Sequence, residues 1–212
     1  MTSKVPRWAT MAEVAAMAGL LPAFIWDFQF RWPRSWIVFP VWLTVSFLAH
    51  RDTPKRLGWR ADNLWASTKP ALVFFAVFAA VLFLLAVALG TVQPPPPNLF
   101  SARRMGLYLA FCLLQQVALQ SFLNNRLLAL SSNRRLTSLL AGVIFAATHW
   151  PNPVLVPVTL VGGTAMAWLF ARERNILPLV IGQALIGSLL WVCFPVEWHH
   201  RMRVGPGYHR LF

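Results

Sequence analysis

From residue 69 to 92 the chain is built almost wholly of Ala, Val, Leu and Phe, and no charge follows Lys69 until Arg103. About 20 consecutive apolar residues is the length at which a helix crosses a bilayer, and a run of that kind fits neither a strand nor the one-sided stripe of a soluble helix. Six more apolar segments share the chain, roughly 9–29, 35–50, 105–130, 136–150, 153–171 and 176–195. Those at 69–92, 105–130 and 176–195 have full spanning length. Those at 35–50 and 136–150 are short, which fits a tilted, interfacial or buried helix. The pattern predicts an all-α, polytopic transmembrane helix bundle of about seven spans. Residues 1–212 are expected to form a single integral membrane domain, with a motif-bearing core at 105–195 and a basic interfacial tail at 196–212.

Composition agrees. The chain is 58% hydrophobic and 12% charged, where soluble domains carry about 45–50% and 25%. Eleven Trp and sixteen Phe also suit a membrane protein, because aromatic rings collect at the lipid–water boundary. The net charge of +13 would suggest nucleic acid in a soluble protein. Here the cations sit in short clusters between apolar runs, as in Arg51–Arg56, Arg103-Arg104 and Arg134-Arg135. That distribution points to membrane lipids as the partner of the charge and argues against nucleic acid.

Counting Lys and Arg in alternate connections gives twelve on the side of the N-terminus and seven on the other, which predicts a cytoplasmic N-terminus. Lys4, Arg7 and the apolar run from Trp8 resemble a signal peptide, but no cleavage site precedes Asp27 and Arg31, so a retained first span is expected. Cys112 and Cys193 lie within apolar segments and read as small buried hydrophobes. Gln93-Pro94-Pro95-Pro96-Pro97-Asn98 cannot be helical and forms a stiff connector. Trp150-Pro151-Asn152-Pro153 is a turn joining two helices into a hairpin.

Against this background the polar residues at membrane depth stand out. The segment 105–130 carries Gln115, Gln116, Gln120, Ser121, Asn124, Asn125 and Arg126. Gln116, Gln120 and Asn124 recur every four residues and form a stripe on one helix face. An unpaired amide in hydrocarbon is costly, so the stripe should face the bundle. Interhelical hydrogen bonding is sufficient reason for such a stripe. The segment 136–150 ends in Phe145-Ala146-Ala147-Thr148-His149. An ionisable group inside a membrane is a functional candidate by default, although His149 could equally bond a neighbouring helix. Gln183 is the one amide of the last segment, and Gly162-Gly163 permits close helix approach. His199, His200 and His209 show no metal-ligand spacing, and no metal or cofactor is expected.

Together these residues resemble the CPBP (CAAX-protease and bacteriocin-processing) intramembrane proteases. That family carries two adjacent glutamates, three residues and an arginine on one helix, Phe-x-x-x-His on the next, and a later His followed at four residues by Asn. This chain has Gln115-Gln116 and Gln120 at the first motif, Phe145 and His149 at the second, and Gln183 and Gly187 at the third. An Asn-Arg-Leu run ending at Leu127, His149-Trp150-Pro151-Asn152-Pro153, and Asn175-Ile176-Leu177-Pro178-Leu179 fit the surroundings of the three motifs. The resemblance spans about residues 11–194 and is strongest at 105–190. It implies a bacterial cytoplasmic (inner) membrane protein, with His149, Gln115, Gln116, Gln120 and Gln183 at the family's catalytic positions and converging on one cavity.

The departures matter as much. No Asp or Glu lies between Asp62 and Glu173, and in the family a glutamate is thought to activate water. A glutamine amide cannot accept that proton, nor is it a serviceable metal ligand in place of His at position 183. Of the family's polar catalytic groups only His149 is unchanged. The resemblance therefore implies a catalytically impaired protease-like protein that binds a membrane-protein or peptide partner. Two alternatives stand beside it: an active, divergent endopeptidase using His149, and an accessory subunit of a membrane complex.

Overall fold

The computed structural model describes residues 5–209; Lys4 and residues 210–212, which enter the charge count and the tail above, lie outside that range. Seven helices follow the seven apolar segments in order. They are α1 (Arg7–Arg31), α2 (Ser35–Ala49), α3 (Leu64–Ala88) and α4 (Ala102–Leu130), then α5 (Arg134–Ala147), α6 (Leu155–Glu173) and α7 (Leu177–Cys193). Short helical pieces at Pro54–Leu57, Val196–His199 and Pro206–His209 complete the all-α chain.

The helices differ in reach. α1, α3, α4 and α6 are long and apolar enough to cross a membrane, and α2 and α7 are shorter apolar helices. Among the described residues four of the seven helices thus have full spanning length. α7 stops at 17 residues, against the full span expected for 176–195. Pro178 stands in its first turn and Phe194 leaves it in extended conformation, so the chain is cut at both ends. α5 has 14 residues and opens with Arg134 and Arg135. The chain is a multi-pass membrane protein, and its outer surface reads accordingly. On α3, Leu72, Val73 and Leu84 are 64%, 64% and 66% exposed, which is tolerable only against lipid.

The core lies among α3 to α7 and is drawn tight where glycine allows it. α5 and α6 form the hairpin predicted from Trp150–Pro153. They cross at Gly142 and Gly163: a β-carbon at Gly142 would fall on the Thr164 hydroxyl, and one at Gly163 would stand 2.9 Å from the Phe145 ring. α7 wedges between α3 and α4, with Gly182 beneath the Phe75 ring and Gly187 beneath the Tyr108 hydroxyl. Small residues at such crossings are the usual basis of helix association in lipid, where no hydrophobic force acts between helices.

Asparagines set the helix starts. Asn133 Oδ1 accepts from the N–H groups of Arg135 and Leu136 at 3.1 Å each. Asn152 Oδ1 accepts from those of Val154 and Leu155 at 3.1 and 2.9 Å, and Asn175 Oδ1 from that of Leu177 at 3.1 Å. Each oxygen satisfies helix donors that have no partner within the helix. The buried Asn152 also donates to the carbonyls of His199 and Arg203 at 2.8 and 3.0 Å. The tail is thereby tied back onto the hairpin turn, with His199 buried against the Trp191 ring at 4.7 Å.

At the opposite end the connection 51–63 is pinned to the ends of α4 and α6. Asn125 donates to the Arg56 carbonyl at 2.8 Å, Asn175 to that of Arg60 at 2.8 Å, and the Ile176 N–H to that of Gly58 at 3.1 Å. Gly58 has φ +89°, and a β-carbon there would stand 2.6 Å from the Phe170 ring, so glycine is required on both counts.

Candidate functional site

The polar stripe of α4 lies where the helix changes its winding. Val117–Asn124 is a π-helical stretch inside α4. An α-helix turns in 3.6 residues, so side chains four apart drift around it. The wider i→i+5 turns of a π segment absorb the extra residue. Gln116, Gln120 and Asn124 consequently stay on one face, and all three are fully buried at 0% exposure.

The amides of α4 and α7 bond to each other. Gln116 Nε2 donates to Gln183 Oε1 at 2.6 Å, and Gln183 Nε2 donates to Gln115 Oε1 at 2.6 Å. Gln116 Nε2 also lies 3.0 Å from Met166 Sδ of α6. Three of the family's motif positions therefore meet in one chain of amides linking α4 to α7. Gln120 does not join it. Its Oε1 instead accepts from Asn124 Nδ2 at 2.9 Å, which also donates to the Ala167 carbonyl at 2.9 Å.

The seam is incompletely satisfied. Gln116 Oε1, Gln120 Nε2 and Asn124 Oδ1 are buried without a hydrogen-bond partner. Unsatisfied buried groups are rare in native proteins and point to a bound water or ligand. The arrangement offers two acceptors and one donor and no group that ionises near neutral pH. It is suited to holding an amide, a carbonyl or water, and it cannot take a proton from water.

His149 bonds within its own helix. Its Nδ1–H donates to the Phe145 carbonyl one turn earlier at 2.8 Å, and its ring lies edge-on to Phe145 at 4.7 Å. That bond leaves Nε2 as the bare, accepting nitrogen. Among the described residues no hydrogen bond joins His149 to any of the four glutamines, and no carboxylate orients its ring. Of the five expected site residues, Gln115, Gln116 and Gln183 are joined by hydrogen bonds, while Gln120 bonds to Asn124 and His149 to the backbone of α5. Nor do the described residues contain a group of three His, Cys, Asp or Glu side chains able to hold a metal ion.

A second polar cluster went unnoticed in the sequence. Arg126, ten residues on from Gln116 and roughly 15 Å further along α4, is fully buried with two carboxylates. Its Nη1 lies 2.8 Å from Asp52 Oδ2, its Nε 3.1 Å from Glu13 Oε2, and its Nη2 donates to Ser46 Oγ at 2.9 Å. Glu13 also takes the Ser46 hydroxyl at 2.6 Å and His50 Nε2 at 2.9 Å, while Arg56 Nε reaches Asp52 Oδ1 at 3.2 Å. Two carboxylates thus face two guanidinium groups across α1, α2, the loop after it and α4. One signal was available: Glu13 is the sole acid in the first half of the first apolar segment, and such a group calls for a partner.

With this geometry in view, residues 105–189 match the family described as Type II CAAX prenyl endopeptidase Rce1-like. This is the family of the CPBP resemblance, over the segment where its motifs are densest, and it holds Gln115, Gln116, Gln120, His149 and Gln183. No curated protein and no solved structure matches the chain.

Proposed function

We propose that this Rce1-like membrane protein binds a membrane-anchored peptide or protein segment in its bundle and does not cleave it. The observation that carries this reading is the chain Gln115–Gln183–Gln116. Amides occupy these positions of the matched segment and bond to one another at 2.6 Å, while Gln116 Oε1 and, further along the same face of α4, Gln120 Nε2 and Asn124 Oδ1 are open to a ligand. A peptide bond offers the complementary donor and acceptor. Among the described residues no carboxylate is bonded to the seam or to His149, so activation of water has no evident base there beyond the free Nε2 of that histidine.

The test is made in vesicles with a farnesylated C-terminal peptide carrying a photoreactive group. The expected result is crosslinking to the full chain with no release of a cleaved fragment, and crosslinking reduced by Gln183→Leu. Fragment release that disappears in His149→Ala overturns the reading in favour of a divergent endopeptidase, which the unprotonated Nε2 would serve as base. Equal crosslinking in the wild type and Gln183→Leu removes the amide seam as the binding element. The same reading places the N-terminus in the cytoplasm of a bacterial cell, supported by the excess of Lys and Arg at that end.

A further inference from the structure

The hairpin of α5 and α6 carries a groove on its outer side, away from the amide seam. Its volume is about 490 Å³, and Arg135, Ser138, Leu139, Val161, Ala165 and Trp168 are among its lining residues. The two helices run antiparallel, so their residues can be ordered by depth. Arg135, in the first turn of α5, lies beside Trp168, near the end of α6. One turn further in is Ser138, and beyond it the groove is aliphatic along Leu139, Ala165 and Val161 apart from Thr164, whose hydroxyl lies against Gly142.

Two details separate this groove from an ordinary lipid-facing surface. Ser138 is only 1% exposed and its hydroxyl has no hydrogen-bond partner, although the residue lines the groove. A buried hydroxyl without a partner is costly in an apolar setting, and the close packing of Gly142 on α6 leaves α5 no freedom to turn it outward. Arg135, at the mouth, takes part in none of the ion pairs among the described residues. The groove therefore presents, from mouth to floor, a free cation, an indole, an unmatched hydrogen-bond donor and an aliphatic trough.

That order matches a glycerophospholipid: phosphate, glycerol, ester carbonyl, acyl chain. Arginine suits a phosphate because its fork of donors can meet two oxygens. A Trp at this level suits the headgroup boundary. The Ser138 hydroxyl would donate to an ester carbonyl, the first acceptor a phospholipid offers below its phosphate. A net negative headgroup is favoured over a zwitterionic one by the charge of the chain, +13 overall, and by Arg134 next to Arg135. We infer that the outer α5–α6 groove is a binding site for one anionic glycerophospholipid, with the phosphate on Arg135, an ester carbonyl on Ser138 and an acyl chain along Leu139 and Val161.

The experiment is native mass spectrometry of the full chain released from detergent with equimolar phosphatidylglycerol and phosphatidylcholine. Retained phosphatidylglycerol adducts should exceed phosphatidylcholine adducts. Arg135→Gln should lower them by about fivefold, the scale of one basic residue at an anionic membrane surface. Ser138→Ala should lower retention of both lipids alike, because both carry the ester. Arg201→Gln, at the other end of the bundle, should change neither. Helical content measured on each variant guards against loss of fold. A phosphatidylglycerol bearing a diazirine in its acyl chain should label peptides containing Leu139 or Val161. Equal retention of the two lipids by the wild type, unchanged retention in both groove variants, or labelling confined to other helices would each overturn the assignment.

Discussion

Two polar regions share α4 and solve the problem of polarity within a membrane protein differently. The amide seam at Gln116, Gln120 and Asn124 holds no charge and leaves three buried atoms unpartnered. The cluster at Arg126 holds charges of both signs in ion-pair contact: each carboxylate there meets at least two partners, although Asp52 Oδ1, Asp52 Oδ2 and Arg126 Nη1 make no hydrogen bond. The contrast follows from cost. An unpaired ion in low dielectric is far more expensive than an unpaired amide, so these ions are buried only beside opposite charges. An amide can wait for a ligand.

The two regions also do different work. α1 is the most loosely held long helix, with 11% of its most apolar window buried. Glu13 ties it through Arg126 and His50 to α4 and α2, so the charged cluster is read as a fastening. The seam, by contrast, joins helices that already pack through Gly182 and Gly187, and its open valences are free for binding.

The largest effect should come from breaking the fastening. Arg126→Leu leaves Glu13 and Asp52 facing each other without their shared cation, and a loss of about 3–5 kcal/mol is expected. It would be measured as a fall in thermal stability in detergent. A loss below about 1 kcal/mol, the scale of an exposed ion pair, would mean that water reaches the cluster. Glu13→Gln should cost less, roughly 1–3 kcal/mol, since the amide keeps an acceptor for Ser46 or His50 but not the charge. Protease cleavage within α1 should rise in this variant ahead of cleavage elsewhere. If α1 stays as protected as in the wild type, the fastening role is wrong.

For the seam, a double-mutant cycle with Gln116→Leu and Gln183→Leu should give a coupling of only about 0.6 kcal/mol, the usual worth of a hydrogen bond between helices in lipid. A coupling of several kcal/mol would make the seam a structural brace and remove the reason for assigning it a ligand. The smallest change concerns pH. Neither amides nor their bonds titrate, so that coupling should be flat between pH 5 and 8, a window that brackets the ordinary histidine value of about 6.5. The tail should not be flat. Burial lowers the pKa of His199 from its usual 6.5, so the folded tail prefers the neutral ring. Its contribution to stability is present above that value and is lost as pH falls below it. Proteolysis at Arg201 and Arg203 should therefore increase from pH 7 to 5, and His199→Gln should abolish the dependence.

Much of this was readable in one dimension. Apolar runs mark helices because lipid forces every backbone group to bond within its own segment, so all seven helices fall where hydropathy puts them. The period of four on α4 exposed the stripe, and Trp150-Pro151-Asn152-Pro153 marked the turn of the hairpin. Span number was less legible, since length depends on where α7 is cut by Pro178 and by the turn at Phe194. The bonding of Gln115, Gln116 and Gln183 followed motif order, whereas the local bonds of His149 and Gln120 did not. Each bonds within its own helix, a local choice that spacing does not distinguish from a partner across the bundle.

The sequence by itself determined a multi-pass helical membrane protein without a carboxylate from residue 63 to 172, because composition and hydropathy are sums along the chain. Only the tertiary structure decided which polar groups meet. Glu13, the pair His50 and Asp52, and Arg126 come from three separate stretches, and the unpartnered Ser138 hydroxyl acquires meaning only from the groove beside it. Pairing of buried polar groups is a matter of distances across the bundle, and those are set by helix packing at a few glycines.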